Sequence, residues 1–156
     1  MSQNEIIDKI KKGDIRSVAR LLTLIENEDE KAETILKEIW ENTGKSYIIG
    51  ITGPPGAGKS TIVDLLAKLA VEKQHKVGVL AVDPTSPFSG GAVLGDRLRM
   101  TSAQNANTFI RSVASRGHLG GLAATTRFMI NAIEMLENDL TIVETVGAGQ
   151  GDVEIV

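Results

Sequence analysis

The sequence contains no cysteine. Disulfide bridges, thiolate nucleophiles and Cys-ligated zinc are excluded, and the composition fits a cytoplasmic setting. Aromatic residues are scarce, at 3%, so Val, Ile, Leu and Ala must build the core. No apolar run approaches the ~20 residues that cross a bilayer, and no membrane partner is expected. The N-terminus, "MSQNEIIDKIKKGD", is charged and lacks the apolar heart of a signal peptide. The only histidines are His75 and His118, and there is no G-x-S-x-G elbow, so serine-nucleophile chemistry finds no support. A net charge of -3 offers nucleic acid no bulk attraction. What remains is an ordinary balance of 42% hydrophobic and 24% charged residues over 156 positions. That is enough for one domain with a real core.

Residues 1–43 read as a helical extension. "NEIIDKIKKG" is a short helix that stops at Gly13. Asp14 can cap "IRSVARLLTLIE", in which Ile15, Val18, Ala19, Leu22 and Ile25 keep the helical period. "EDEKAETILKEIWEN" repeats the pattern with Ala32, Ile35, Leu36 and Ile39, and its acidic start suits the positive end of a helix dipole. Such stripes call for packing against a main domain.

From residue 44 to 156 the texture alternates between strand and helix. "SYIIGIT", "KVGVLAVD", "TFIRSV" and "LTIVET" read as strands. "KSTIVDLLAKLAVEKQ", with Ile62, Leu65, Leu66 and Leu69 on one face, reads as a helix, as do "LGDRLRMTSAQN" and "LAATTRFMINAIEMLEN". The alternation implies an α/β fold, a mostly parallel sheet covered on both faces. Right-handed crossovers bring the C-terminal ends of the strands to one edge, where ligands of such sheets bind.

The strongest motif is "GITGPPGAGKST". Residues Gly53, Pro54, Pro55, Gly56, Ala57, Gly58, Lys59, Ser60 and Thr61 contain a complete G-x-x-x-x-G-K-S, the Walker A pattern, between a β-rich run and an amphipathic helix. Glycines let successive backbone N–H groups turn inward toward phosphate oxygens. The helix start adds a positive dipole end. Lys59 supplies a mobile cation, and the Ser60 hydroxyl is a hard oxygen ligand suited to Mg²⁺. The prolines stiffen the start of the loop. A plain glycine-rich turn does not require Gly-Lys-Ser at a helix start.

Two acids end further strands. Asp83, in "VLAVDPTSP", could bind Mg²⁺ directly or through water, or orient an attacking water; the bland alternative is an Asp opening a turn before Pro84. Glu144, in "LTIVETVGAGQGD", is followed three residues later by Gly147. In P-loop GTPases an acid at such a place holds Mg²⁺ through water, and the glycine N–H meets the γ-phosphate. The loop "PTSPFSGGAVLGDRLRM" carries Asp96, which can cap a helix or reach the metal. Arg97 and Arg99 read equally as surface charges or phosphate contacts. In "SRGHLGG", Arg116 and His118 sit in a second glycine-rich connection, and a lone loop histidine is more often a packing or solvent-facing residue.

"GITGPPGAGKST", "VLAVDPTSPFSGGAVLGDRLRM", "FIRSVASRGHLGGLA" and "VETVGAGQGDVEIV" together resemble the ArgK/MeaB GTPases. These are the G-protein chaperones of adenosylcobalamin-dependent methylmalonyl-CoA mutase and its relatives. The resemblance implies a P-loop NTPase domain of three α/β/α layers behind an N-terminal helical extension. It implies binding and hydrolysis of GTP, with GTP/GDP and Mg²⁺ as ligands and a mutase as partner. It puts Lys59 on phosphate and Ser60 on magnesium, places Asp83 and Asp96 near the metal, makes Glu144 the acid of a Glu-Thr-x-Gly element, and puts Gly147 at the γ-phosphate. "SRGHLGG" is similar to a segment tied to conformational signalling.

The chain also departs from the family pattern. No Asn-Lys pair occurs, so the guanine-reading Asn-Lys-x-Asp element is missing, as is the helical arm used for dimerisation in relatives. The chain looks like the N-terminal part of a G domain. Two readings besides a GTPase chaperone stay open. One is a nucleotide-binding module of negligible turnover that acts as a homodimer or with a complementary C-terminal fragment. The other is a P-loop kinase or transport ATPase.

Overall fold

The computed structural model describes residues 3–54, 56–83, 107–114 and 122–145. Three helices come first, α1 (Gln3–Lys11), α2 (Ile15–Glu26) and α3 (Glu30–Ile39), and a 3-10 turn follows at Trp40–Asn42. Then come β1 (Tyr47–Ile51), α4 (Lys59–Glu72), β2 (Val77–Asp83), β3 (Thr108–Ala114), α5 (Leu122–Glu134) and β4 (Leu140–Thr145). The helix expected over "LGDRLRMTSAQN" lies outside the described residues.

The expected caps are in place. Gly13 takes a left-handed backbone with φ +71° after α1, a conformation that costs other residues more. The Asp14 carboxylate accepts hydrogen bonds from the Ser17 backbone N–H at 2.8 Å and the Ser17 hydroxyl at 2.6 Å. Those two bonds, the hydroxyl's first, hold the Asp14 carboxyl below its ordinary pKa. Asp29 caps α3 through the Lys31 N–H. The α5 helix ends at Glu134, four residues short of the sequence reading, in a turn where Glu137 has φ +57° and the Asn138 amide donates to the Ile133 carbonyl.

The four strands form one sheet in the order β1-β4-β2-β3, and every pairing is parallel. Two cores flank it. On one face, α1, α2, α3 and α5 share a cluster with Leu80, Val82, Val113 and Val143. On the other, Val63 and Ala67 of α4 meet Val77, Val79 and Ile142. Alternation along β2 and β4 supplies both faces, as a doubly covered parallel sheet requires. The architecture is the three-layer α/β/α arrangement read from the strand-helix alternation.

Two apolar stripes depart from the sequence reading. In α2, Leu21 joins Val18, Leu22 and Ile25 in the core, whereas Ile15 is exposed. In α4 the correction is larger: Ile62, Leu65 and Leu69 face outward, with Leu65 at 60% exposure, and Leu66 is only partly buried. The face toward the sheet carries Lys59, Val63 and Ala67. These side chains at i, i+4 and i+8 let the helix start meet the sheet edge while a valine and an alanine keep the axis close.

Long-range contacts fix how the layers join. The Glu134 carboxylate accepts from the backbone N–H of Gly44 at 2.6 Å and of Ser46 at 3.0 Å. The Ser46 and Thr141 hydroxyls are 2.8 Å apart. Gly78 in β2 lies under α5, where an added Cβ would come within 2.6 Å of Ile133 Cγ2 and 2.7 Å of Asn138 Nδ2.

Candidate phosphate and magnesium site

The loop between β1 and α4 is built by its glycines. Gly56 and Gly58 have φ of +78° and +81°, and Gly58 forms the left-handed N-cap of α4. Among the described residues, nothing lies within 4 Å of a Cβ placed at either position. Backbone conformation, not crowding, is thus the reason for glycine there. The Ala57 N–H donates to the Pro54 carbonyl at 3.3 Å, closing the loop on itself. The first turn of an α-helix has backbone N–H groups with no partner inside the helix, and α4 starts at this loop.

Lys59 is the first residue of α4 and is largely buried. Its ammonium donates to the Pro54 carbonyl at 3.0 Å. The cation is thus held by its own loop. This acceptor has no sequence signature.

Ser60 and Glu144 come together. The Ser60 hydroxyl donates to Glu144 Oε1 at 2.6 Å. Glu144 is 3% exposed, and its Oε2 is buried without a hydrogen-bond partner among the described residues. A buried carboxylate oxygen left unpartnered costs free energy unless something else satisfies it. With the Ser60 hydroxyl beside it, the donor set is hard oxygen, which suits Mg²⁺. The residues present therefore fit that ion. In the sheet, Glu144 is in register with Ile51 of β1 and Ala81 of β2. It thus stands at the C-terminal edge, where strand ends and the phosphate loop converge. The neighbouring Thr145 hydroxyl is also buried without a partner among the described residues, a feature the sequence reading did not single out.

The other sequence candidates divide cleanly. Asp83 is the last residue of β2, one position beyond the Val82–Thr145 pairing, so its backbone reaches the same edge. Its side chain lies outside the described residues, as do Pro55, Asp96, Arg97, Arg99, Arg116, His118 and Gly147. Thr61 is exposed on the first turn of α4.

A parallel sheet, a glycine-rich loop after β1 and a Lys-Ser helix start opposite a strand-end acid define a P-loop NTPase fold. A solved structure described as "LAO/AO transport system kinase" superposes with a TM-score of 0.74 at 30% identity, covering 98% of this chain and 46% of that one. The family profile described as "Methylmalonyl Co-A mutase-associated GTPase MeaB" matches residues 18–156, and the chain belongs to this MeaB family. A Pyrococcus abyssi relative is 54% identical over 154 residues, covering 98% of this chain and 48% of the relative. The "GTPase ArgK" of Escherichia coli (strain K12) is 38% identical over 156 residues, covering 97% and 47%. The chain spans about half the length of these relatives. Among the described residues no helix is long and apolar enough to cross a membrane.

Proposed function

We propose that this chain carries the phosphate- and magnesium-binding end of a GTPase that assists an adenosylcobalamin-dependent acyl-CoA mutase of the methylmalonyl-CoA type. The observation behind the reading is the Ser60–Glu144 contact at the mouth of the phosphate loop. The family supports GTP/GDP as the nucleotide, and its description supports the mutase as partner.

The chemistry follows from the side chains. Lys59 exchanges the Pro54 carbonyl for a phosphate oxygen, and loop N–H groups hold the remaining charge. Ser60 and Glu144 would hold Mg²⁺, with Asp83 and Asp96 as further candidates. The ion, when bound, neutralises charge on the β- and γ-phosphates. Attack of water on the γ-phosphate needs little else from the protein beyond positioning and charge stabilisation. Gly147 is the candidate γ-phosphate sensor.

Binding of fluorescent GDP and GTP with and without Mg²⁺, beside ADP and ATP, tests the reading. Lys59→Ala should weaken nucleotide binding by tenfold or more, about 1.4 kcal/mol. Mg²⁺-dependent hydrolysis that ignores Lys59→Ala would sink it.

A second reading has its own observation. The α4 stripe of Ile62, Leu65 and Leu69 is exposed among the described residues, as are Tyr47 and Ile48 of β1. The strand order also leaves one side of β1 without a described neighbour. On this reading the chain binds nucleotide with negligible turnover and completes itself with a second copy or a complementary fragment. Robust GTP turnover by the isolated chain would refute it.

A further inference from the structure

A second surface lies on the helical layer, away from the phosphate loop. The α3 helix, the 3-10 turn after it and the first half of α5 enclose a groove of about 1040 Å³. Its apolar lining includes Trp40 and Phe128, which are 56% and 41% exposed. The chain has one tryptophan and three phenylalanines in all. An aromatic-poor protein thus leaves its only tryptophan uncovered on this groove by any of the described residues. Exposed aromatics grouped in a concavity are the usual anchors of interfaces.

The rim is predominantly negative. Six carboxylates line the groove, those of Glu28, Asp29, Glu30, Glu33, Glu38 and Glu41, against two lysines, Lys11 and Lys37. Lys37 is already paired with Glu33 at 2.8 Å. The local excess of negative charge exceeds the net -3 of the entire chain. A nucleotide or other anion is therefore repelled here. A cationic, apolar-faced occupant is favoured on both counts.

We infer that this groove docks a basic amphipathic helix of another protein, with its apolar face on Trp40 and Phe128 and its lysines or arginines on the acidic rim. The volume is too large for a single side chain and suits several anchors at i, i+3 and i+4 spacing. The position gives the contact a consequence. Because β3 and β4 are parallel, α5 must run back from the C-terminal sheet edge to the opposite edge. A helix seated on Thr125 and Phe128 therefore presses on the element that starts at the edge carrying the phosphate loop.

Trp40 is its own reporter. The probe is a synthetic Leu/Lys amphipathic helix, with a Leu/Glu helix of the same pattern as control. The expected result is saturable binding of the Leu/Lys peptide by fluorescence anisotropy, with a blue shift of Trp40 emission and affinity that falls steeply with salt. The double variant Glu38→Lys/Glu41→Lys changes only exposed side chains, and circular dichroism verifies its fold. It should weaken binding at least tenfold while leaving nucleotide binding unchanged. Trp40→Ala should also weaken binding, read by anisotropy. Absence of binding at about 100 μM peptide, where even a weak interface is detected, overturns the proposal. So does equal binding of the Leu/Glu control, or binding indifferent to the charge reversals. A concentration-dependent blue shift without peptide assigns the groove to a second copy. Trp40 already shielded from acrylamide in dilute monomer assigns it to the chain's own residues. Either result also overturns the proposal.

Discussion

Ser60 and Glu144, 84 residues apart in the chain, meet through a 2.6 Å hydrogen bond at the head of α4. The contact joins the phosphate loop to the end of β4 and leaves the second carboxylate oxygen buried and without a partner among the described residues. Ser60→Ala should therefore act twice. Without ligand it strands both oxygens of Glu144 and should cost about 1–3 kcal/mol of stability. With nucleotide it should remove tenfold or more of the Mg²⁺-dependent affinity. Glu144→Gln should weaken the same Mg²⁺-dependent component, and the double variant should lose less than the two single losses combined. Urea melts and nucleotide titrations with and without Mg²⁺ provide the numbers. Additive losses would mean that the two residues do not serve one ligand.

Gly78 should not tolerate a side chain. A Cβ there would meet Ile133 and Asn138 well inside contact distance. Gly78→Ala should destabilise the chain by about 1–3 kcal/mol, because α5 or β2 must shift to make room. Denaturant unfolding is the check. A fully stable variant would mean that α5 sits farther from the sheet than its contacts indicate.

The outward stripe on α4 predicts self-association. Light scattering after size exclusion should show species larger than a monomer at tens of micromolar, and Leu65→Glu/Leu69→Lys should shift them toward monomer. These side chains are 60% and 51% exposed, so the exchange should leave the fold intact. A clean wild-type monomer at high concentration would count against an adhesive flank.

The Asp14 cap predicts a pH effect of definite sign. Its carboxyl is held below the ordinary value by the Ser17 hydroxyl and N–H. The stability it contributes is complete above the unfolded pKa, about 4, and disappears as pH falls through the lower folded value. Asp14→Asn keeps a capping oxygen but removes the titration. The stability difference between wild type and variant should stay constant at neutral pH and change only in acid. A difference that changes near pH 7 would point to another group.

Much of this was legible in the sequence. Gly53 through Thr61 carry a motif whose residue types are dictated by phosphate geometry, so both the loop and its flanking elements could be placed. Asp14 and Gly13 were equally readable, because a cap and a helix stop are local events. The α4 face was misjudged for a definite reason. Periodicity reports which residues share a face but not which way that face turns, and the sheet takes up the slimmer stripe of Val63 and Ala67. The clamp from Glu134 to Gly44 and Ser46 spans 88 to 90 positions. No spacing rule reaches that far. The lysine's perch on the Pro54 carbonyl was hidden because any backbone carbonyl can serve as an acceptor.

That clamp bears on how motion could travel. Glu134 grips residues 44 and 46, the Tyr47 N–H donates to Asp139, and the hydroxyls of Ser46 and Thr141 meet beside them. The root of β1 is thereby bolted to the far end of α5 and the start of β4. The strand is five residues long, with its foot held by these bonds and the phosphate loop following its tip. The phosphate loop and α5 thus hang from one shared anchor point, five residues of strand apart.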